Sequence, residues 1–98
     1  MENLFVYGTL RCPRCRESVV GRRLSAEGDA LKGYKRSKIK LGQALFPIIY
    51  PDSEGVVKGL VITVTSEELK QIDAYETQAY KRSEVVLESD KKAWVYHG

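Results

Sequence analysis

The pattern of apolar and polar positions divides the chain into short strands and helices. The apolar and aromatic run from Leu4 to Tyr7 ends at Gly8 and is typical of a strand buried on both faces. The segment 56–65 is apolar or β-branched almost throughout, which predicts a central strand. Further strands are predicted at 29–41, 80–87 and 92–97, with a short edge strand at 42–52 and a turn at 52–55.

Two segments have the spacing of helices. Residues 14–24 predict a short helix or an irregular segment, because Gly21 weakens a helical pattern by about 1 kcal/mol relative to alanine. Thr65 is followed three positions later by Glu68, which forms a capping box. This pattern predicts a helix that starts at Thr65 and ends near residue 75 or 76.

The second predicted helix has a carboxylate on its apolar side. Leu69, Ile72 and Glu76 fall on one face when successive residues are separated by about 100°. A glutamate at a helix end is commonly a solvated residue, and it can also be a catalytic acid or base. The periodicity alone leaves both interpretations open.

The inward positions of these strands and this helix define a predicted core. We expect its members to be largely buried, because they supply the apolar faces of the sheet and helix. They are Phe5, Val6, Val61, Ile62, Leu69, Ile72, Val86 and Val95.

Length and composition predict a single globular domain over residues 1–98. The chain is 43% hydrophobic and 30% charged, as in ordinary soluble proteins, and its net charge is +3. No run approaches the roughly 18 apolar residues of a membrane span, and Met1-Glu2-Asn3 lacks the basic start of a signal peptide. We therefore expect a cytoplasmic protein with no membrane partner.

The predicted strand at 29–41 is rich in basic residues. Five lie between Lys32 and Lys40. Such a stripe is compatible with nucleic acid, but nucleic-acid-binding modules usually interleave aromatic residues and concentrate more charge. Lysines also discourage pairing at a sheet edge. An exposed edge strand is therefore favoured, and no nucleic-acid partner is expected.

Cys12 and Cys15 are the two cysteines, and they lie in a loop directly after the Gly8 turn. Their spacing allows reduced thiols, a redox pair, or half of a zinc site. A tetrahedral site needs four ligands, and the chain adds only His97. No metal site is therefore predicted, and reduced thiols are favoured over a redox pair.

The turn after the first strand is a candidate binding site. Glycine allows another group to approach the main chain closely, so N–H groups between Gly8 and Arg11 could point together at an anion. A strand followed by glycine is also an ordinary way to leave a core. The particular string Tyr7-Gly8-Thr9-Leu10 favours the functional interpretation.

Two separated segments together resemble the gamma-glutamylcyclotransferase-like family, particularly its small gamma-glutamylamine cyclotransferase branch. They are Val6-Tyr7-Gly8-Thr9-Leu10-Arg11 and the segment 72–82, Ile-Asp-Ala-Tyr-Glu-Thr-Gln-Ala-Tyr-Lys-Arg. Weaker similarities follow in the family's order at 31–34, 46–49, 57–60 and 94–96. Thr77 stands where many relatives have glycine.

The resemblance implies an α+β fold, a small mixed β-barrel with flanking helices. It also implies release of 5-oxoproline from a gamma-glutamyl amine or peptide, with a small-molecule substrate and no cofactor. By position, Glu76 matches the family's acid/base carboxylate. Residues that match the substrate-binding loop and the motif after the glutamate are Tyr7, Gly8, Thr9, Leu10 and Tyr80, with Arg82 also in that motif. The oligomeric state stays open.

The residue chemistry suits this activity. In a cyclotransfer the substrate's own α-amine attacks its γ-carbonyl, so the protein needs a base and an oxyanion site. Burial and the negative end of the helix dipole should raise the pKa of Glu76 towards neutrality. The alternative function is a non-catalytic module of the same fold that binds a small anion in the Gly8 turn. Separately, Tyr7 and Tyr80 are also compatible with core aromatic residues whose hydroxyls reach water.

Overall fold

A computed structural model of the chain describes residues 1–76 and 80–98. Within these residues it contains five strands and two α-helices, and a 3₁₀ turn follows the first strand. In chain order they are β1 (Glu2–Val6), the 3₁₀ turn (Thr9–Arg11), α1 (Pro13–Val20), β2 (Ala26–Leu41), β3 (Ala44–Val64), α2 (Ser66–Glu76), β4 (Lys81–Val86) and β5 (Lys92–His97).

The strands form one mixed sheet in the order β2-β3-β1-β5-β4. β1 runs antiparallel to β3 and parallel to β5, while β2–β3 and β4–β5 are antiparallel pairs. The backbone N–H of Glu88 donates to the carbonyl of Ala30 at 2.8 Å, and that of Gly98 donates to Ile49 at 3.0 Å. These bonds bring the two ends of the sheet together, so the sheet curls into a half-barrel flanked by two helices. The predicted fold class is confirmed.

β1 is buried on both faces, as its apolar run predicts. Leu4 and Val6 belong to a cluster that includes Ile72 of α2, on the face covered by the helices. Phe5 and Tyr7 point to the opposite face and pack inside the half-barrel. Because adjacent side chains of a strand point to opposite faces, a strand with two covered faces requires an unbroken apolar run.

The helix boundaries follow the local sequence signals. The backbone N–H of Thr65 donates to Oε1 of Glu68 at 2.8 Å, and the N–H of Glu68 donates to Oγ1 of Thr65 at 3.1 Å. This reciprocal capping box confirms the predicted start of α2. α1 ends at Gly21, which adopts a left-handed φ of 87° that glycine tolerates without steric cost.

Seven of the eight predicted core residues are buried, and Val86 is the exception. Val86 is 57% exposed, whereas Leu87 is 3% exposed. Val85 in β4 and Leu87, the residue after β4, both pack into the core, so Val86 lies on the opposite face. The assignment of Val86 to the core was wrong because an apolar run with no polar alternation does not show which face is inward.

The predicted turn at 52–55 and the separate edge strand at 42–52 were also wrong. β3 continues from Ala44 to Val64. Its pairing with β2 shifts register here, since Lys32 pairs with Val56 but Tyr34 pairs with Pro51. The four residues 52–55 therefore lie opposite Gly33 as a bulge that keeps the strand continuous. Residues 60–62 pair with both β1 and β2, so this part of β3 lies inside the sheet, which confirms a central strand.

The basic strand β2 forms one edge of the sheet, as the lysine pattern predicts. One of its basic residues also contacts the core. Arg36 places its guanidinium 5.9 Å from the ring centroid of Tyr7 and donates to the carbonyl of Lys58 at 3.2 Å.

Among the described residues, no helix is both long and apolar enough to cross a bilayer.

Candidate active site

A cavity of about 200 Å³ lies where β1 ends and α2 ends. All six residues predicted for the site line this cavity: Tyr7, Gly8, Thr9, Leu10, Glu76 and Tyr80. The structure therefore brings the two separated sequence segments together around one space. The other described residues that line it are Phe5, Val6, Leu41, Phe46, Pro47, Tyr75 and Tyr96.

The Gly8 turn forms one wall of the cavity. A Cβ atom at Gly8 would lie 2.8 Å from Cγ of Pro47, so glycine is required here by close packing rather than by a positive φ. The following residues form the 3₁₀ turn, in which the N–H of Arg11 donates to the carbonyl of Gly8 at 3.0 Å. Within residues 1–76 and 80–98, the N–H groups of Gly8, Thr9 and Leu10 have no hydrogen-bond acceptor. Such groups can donate to a substrate oxygen.

A buried arginine fixes this turn to α1. Arg16 is 5% exposed, and its Nη1 donates to the carbonyls of Leu10 at 3.1 Å and Arg11 at 2.9 Å. Its Nη2 donates to the carbonyl of Leu24 at 3.3 Å. The two Nη1 bonds satisfy carbonyls that the short 3₁₀ turn leaves open, so Arg16 holds the turn in place.

Glu76 is the last residue of α2, and its carboxyl group faces the cavity. Burial raises the pKa of this carboxyl to about 7, because the charged form loses contact with water. Leu69 and Ile72, on the same side of α2, are both buried. The core-facing stripe therefore ends in a carboxyl group that exchanges a proton near neutral pH.

Two tyrosine hydroxyls at the cavity donate to backbone carbonyls. Tyr7 donates to the carbonyl of Tyr96 at 2.6 Å, and Tyr80 donates to the carbonyl of Pro47 at 2.7 Å. Burial raises the pKa of both phenols, and the nearby Glu76 carboxylate adds to the effect. Both side chains therefore stay protonated at neutral pH and hold the cavity walls together.

The end of α2 is tied to β4 and β5 by a polar network. Tyr96 donates its phenolic hydrogen to Oδ1 of Asp73 at 2.6 Å, and the pKa of this phenol is raised by burial and by that carboxylate. Arg82 donates to both carboxylate oxygens of Asp73, at 2.8 and 3.1 Å. The Arg82 guanidinium also stacks 4.4 Å from the ring centroid of Trp94.

Sequence reasoning missed the outer wall and the inner anchor of the cavity. Leu41, Phe46 and Pro47 come from the β2–β3 hairpin, and Tyr96 comes from β5. The sequence gives little indication that these residues line a site, because an apolar residue in a hairpin or strand is normally predicted to belong to the core. Thr77, the position that differs from many relatives, lies outside the described residues.

Cys12 and Cys15 are both free thiols and lie outside this cavity. Cys12 occupies the N-cap position of α1 without a side-chain capping hydrogen bond, and Cys15 is in the first turn of this helix. In the part of the chain that the structure describes, no three metal-ligating side chains cluster in space.

Comparison with known proteins places this geometry in a family. The sequence model described as "Gamma-glutamyl cyclotransferase, AIG2-like" matches residues 4–98. The chain belongs to this family. The resemblance noted from Tyr7-Gly8-Thr9-Leu10 and from the segment around Glu76 is therefore confirmed.

The relatives support the family and the fold. AIG2-like protein A of Arabidopsis thaliana is 35% identical over 83 residues, which are 84% of this chain and 49% of that protein. A solution structure from Arabidopsis thaliana aligns with a TM-score of 0.83 and 31% identity, covering 98% of this chain and 61% of that one. A gamma-glutamyl cyclotransferase aligns with a TM-score of 0.81 and 14% identity, covering 98% and 65%, which shows the shared fold. The chain spans about half the length of the curated relatives it matches.

Proposed function

We propose that this domain is a cyclotransferase that releases 5-oxoproline from a gamma-glutamyl amine or peptide. The observation that carries the proposal is the Glu76 carboxyl group, which has a pKa of about 7. This group lines a small cavity that the Gly8 turn also lines. A general acid/base works best when its pKa lies near the working pH. Family membership supports cyclotransferase chemistry in general, and Glu76 supplies the group that this chemistry requires.

The reaction begins with proton transfer from the substrate's α-ammonium to the Glu76 carboxylate. The free amine then attacks the γ-carbonyl carbon of the same molecule, and the carbonyl oxygen becomes negatively charged. The N–H groups of Gly8, Thr9 and Leu10, which have no acceptor within the described residues, are the candidate donors to this oxygen. As the tetrahedral intermediate collapses, the γ-carbon–nitrogen bond breaks, Glu76 returns a proton to the leaving amine, and the ring nitrogen loses its second proton to solvent.

The reaction also requires the glutamyl chain to be held in a folded conformation, and the cavity can do this. Attack within one molecule forms a five-membered ring, and correct positioning of such groups can lower a barrier by roughly 7–11 kcal/mol. At about 200 Å³, the cavity is smaller than the roughly 300–1,000 Å³ of sites for drug-sized ligands, which favours a small metabolite. The chemistry as written uses no metal and no cofactor.

In this proposal Tyr7 and Tyr80 bind substrate by contact. Each hydroxyl hydrogen is already donated to a backbone carbonyl, so the rings present apolar surface, and the hydroxyl oxygens keep acceptor capacity. The substrate's α-ammonium is a suitable donor to those oxygens. The same geometry would also hold a small anion without turnover, which is the competing function.

Replacement of Glu76 by glutamine separates the two functions. Glutamine keeps the size of the side chain but cannot transfer a proton. We expect 5-oxoproline release from a panel of gamma-glutamyl amines, including gamma-glutamyl-ε-lysine, to fall about 10²–10⁴-fold, with substrate still bound. An equally active Glu76→Gln variant would contradict the acid/base role. Binding of gamma-glutamyl compounds without turnover by the unaltered protein would support the binding module instead.

A further inference from the structure

The proposed reaction uses neither cysteine, yet both lie at a second cavity that shares Gly8 and Thr9 with the first. This cavity measures about 620 Å³. Its lining residues are Gly8, Thr9, Arg11, Cys12, Cys15, Lys58, Gly59 and Leu60. It therefore combines two thiols with two basic side chains and contains no acidic side chain among the described residues.

The two cysteines are arranged as a pair at the start of α1. Cys12 is the N-cap residue with extended backbone angles, Pro13 occupies the first turn, and Cys15 follows in the same turn. Positions three apart on a helix have Cβ atoms about 5–6 Å apart, whereas a disulfide holds them about 3.5–4.5 Å apart, so closing the bond requires the start of α1 to shift by roughly 1–2 Å. Cys12 is exposed and Cys15 is half-buried. An incoming molecule therefore meets Cys12 first.

The surroundings distinguish the two thiols chemically. The pKa of Cys12 is lowered mainly by hydrogen bonding to the backbone N–H of Cys15 and then to the thiol of Cys15. Arg14 lowers it further. The pKa of Cys15 is raised, first by the thiol of Cys12. A thiolate stabilised at a helix N-terminus next to a protonated thiol is the arrangement found in exchange-active Cys-x-x-Cys pairs.

We propose that Cys12 and Cys15 are a redox-active dithiol that exchanges with an anionic low-molecular-weight disulfide bound in the second cavity. The Cys12 sulfur attacks one sulfur of that disulfide, whose S–S bond breaks and releases a thiolate. Cys15 then loses its proton to solvent, its sulfur attacks the Cys12 sulfur, and the second thiolate leaves. The protein loses two electrons and gains one internal disulfide, and the small disulfide becomes two thiols.

The charge of the cavity selects the partner. Arg11 and Lys58 line the same cavity as the two cysteines, so a disulfide that carries carboxylates gains favourable electrostatic interactions there. Lys58 is an exposed residue of β3 that lines this cavity. A neutral disulfide lacks this attraction, which makes charge the variable to test.

The test follows thiol oxidation of the reduced full chain with glutathione disulfide and with the neutral hydroxyethyl disulfide. We expect both thiols to be lost in an intramolecular disulfide, and the anionic reagent to react faster at low salt. Cys15→Ser should stop at the mixed disulfide on Cys12, and Cys12→Ser should react about tenfold more slowly. Thermal melts of both variants establish that they are folded.

Lys58→Gln tests the cavity, with Lys70→Gln on α2 as the control for an equal loss of charge. Lys58→Gln should slow the anionic reagent at least about twofold at low salt and leave the neutral one unchanged. Equal rates for Cys12→Ser and Cys15→Ser, or failure to form the internal disulfide, would overturn the dithiol assignment. Equal effects of Lys58→Gln and Lys70→Gln would overturn the anion preference.

Discussion

The phenolic hydroxyl of Tyr96 donates a 2.6 Å hydrogen bond to Oδ1 of Asp73, which lies one helical turn before Glu76. This bond joins the last strand to the helix that carries the proposed acid/base group. Tyr96 also accepts, through its backbone carbonyl, the hydroxyl of Tyr7 at 2.6 Å. One residue of β5 thus connects the end of β1 with the end of α2, the two elements that meet at the cavity.

The first prediction is that this connection can be measured by a double-mutant cycle. Tyr96→Phe removes a hydrogen bond to a charged group, which should lower the free energy of unfolding by about 1.5–3 kcal/mol. Asp73→Asn weakens the same bond, so the two effects should be less than additive. Tyr50→Phe, at a tyrosine that is 36% exposed, is the control and should stay within about 0.5 kcal/mol. Additive effects in urea denaturation would show that the bond contributes little.

The second prediction concerns the space at Gly8. In Gly8→Ala the new methyl group would lie 2.8 Å from the Pro47 ring, which cannot rotate away. We expect a loss of about 1–3 kcal/mol in unfolding free energy and a higher KM, because Pro47 also accepts the Tyr80 hydroxyl. Gly28→Ala is the matched control, since nothing lies within 4 Å of its added Cβ. A Gly8→Ala protein as stable and active as Gly28→Ala would contradict this account of the turn.

The third prediction compares two apolar residues that looked alike in sequence. Ile72 is fully buried, so Ile72→Ala should cost about 2–5 kcal/mol. Val86 is 57% exposed, and Val86→Ala should change stability by less than about 0.5 kcal/mol. Urea denaturation of both variants provides the measurement. A large loss in Val86→Ala would mean that its face of β4 is covered.

That comparison shows what a sequence pattern can determine. The capping box at Thr65 and the apolar run Leu4 to Tyr7 are local signals strong enough to predict α2 and β1. Val86 lies in an apolar run without polar alternation. The local sequence therefore does not show which of its neighbours point to the covered face of the sheet. The bulge at 52–55 likewise depends on the register against β2, because the local sequence favours a turn.

The candidate site likewise has residues that the sequence could predict and residues that it could not. Its six predicted residues came from a family resemblance together with the carboxylate on the apolar stripe of α2. Tyr96 and Asp73 are 23 positions apart, and their contact requires β5 to lie parallel to β1. Pairing of distant strands leaves no periodic signal within either segment, so the sequence could not indicate this contact.

The fourth prediction follows from the raised pKa of Glu76. The folded protein keeps this carboxyl protonated up to about pH 7, whereas the ordinary value is 4.5, so the folded state binds more protons between these pH values. Stability should therefore fall as pH rises from about 4.5 to 7, and the carboxylate should cost about 3 kcal/mol at pH 8. Glu76→Gln should remove this slope and be more stable than the unaltered protein at pH 8. Denaturation curves at pH 5 and 8 measure both, and a parallel pH dependence in the two proteins would contradict it.

The same titration should appear in the reaction. The proposed mechanism starts from the Glu76 carboxylate, so kcat/KM should decrease tenfold per pH unit well below about pH 7. The Tyr50→Phe protein should show the same acid limb, because that residue does not line the cavity. A flat profile between pH 5 and 7 would exclude Glu76 as the base.

The last prediction concerns the leaving amine. The cavity has an apolar wall that includes Leu41, Phe46, Pro47 and Tyr75, to which we assign the leaving amine, and Glu76 is the single charged residue among the described lining residues. A charged leaving group would lose water without gaining a partner, whereas an aromatic amine would bury apolar surface. We therefore expect gamma-glutamyl benzylamide to have a KM about tenfold lower than gamma-glutamyl-ε-lysine.

Phe46→Ala tests this wall directly, with Leu45→Ala as the control from the same hairpin. Phe46 lines the cavity, whereas Leu45 is 63% exposed and does not. Phe46→Ala should raise KM for the benzylamide about five- to tenfold with little change in kcat, because the lost contact is made equally in the ground and transition states. Its effect on gamma-glutamyl-ε-lysine should be small. Equal losses for both substrates would contradict apolar selectivity, while absence of turnover with every gamma-glutamyl amide would instead contradict the proposed reaction.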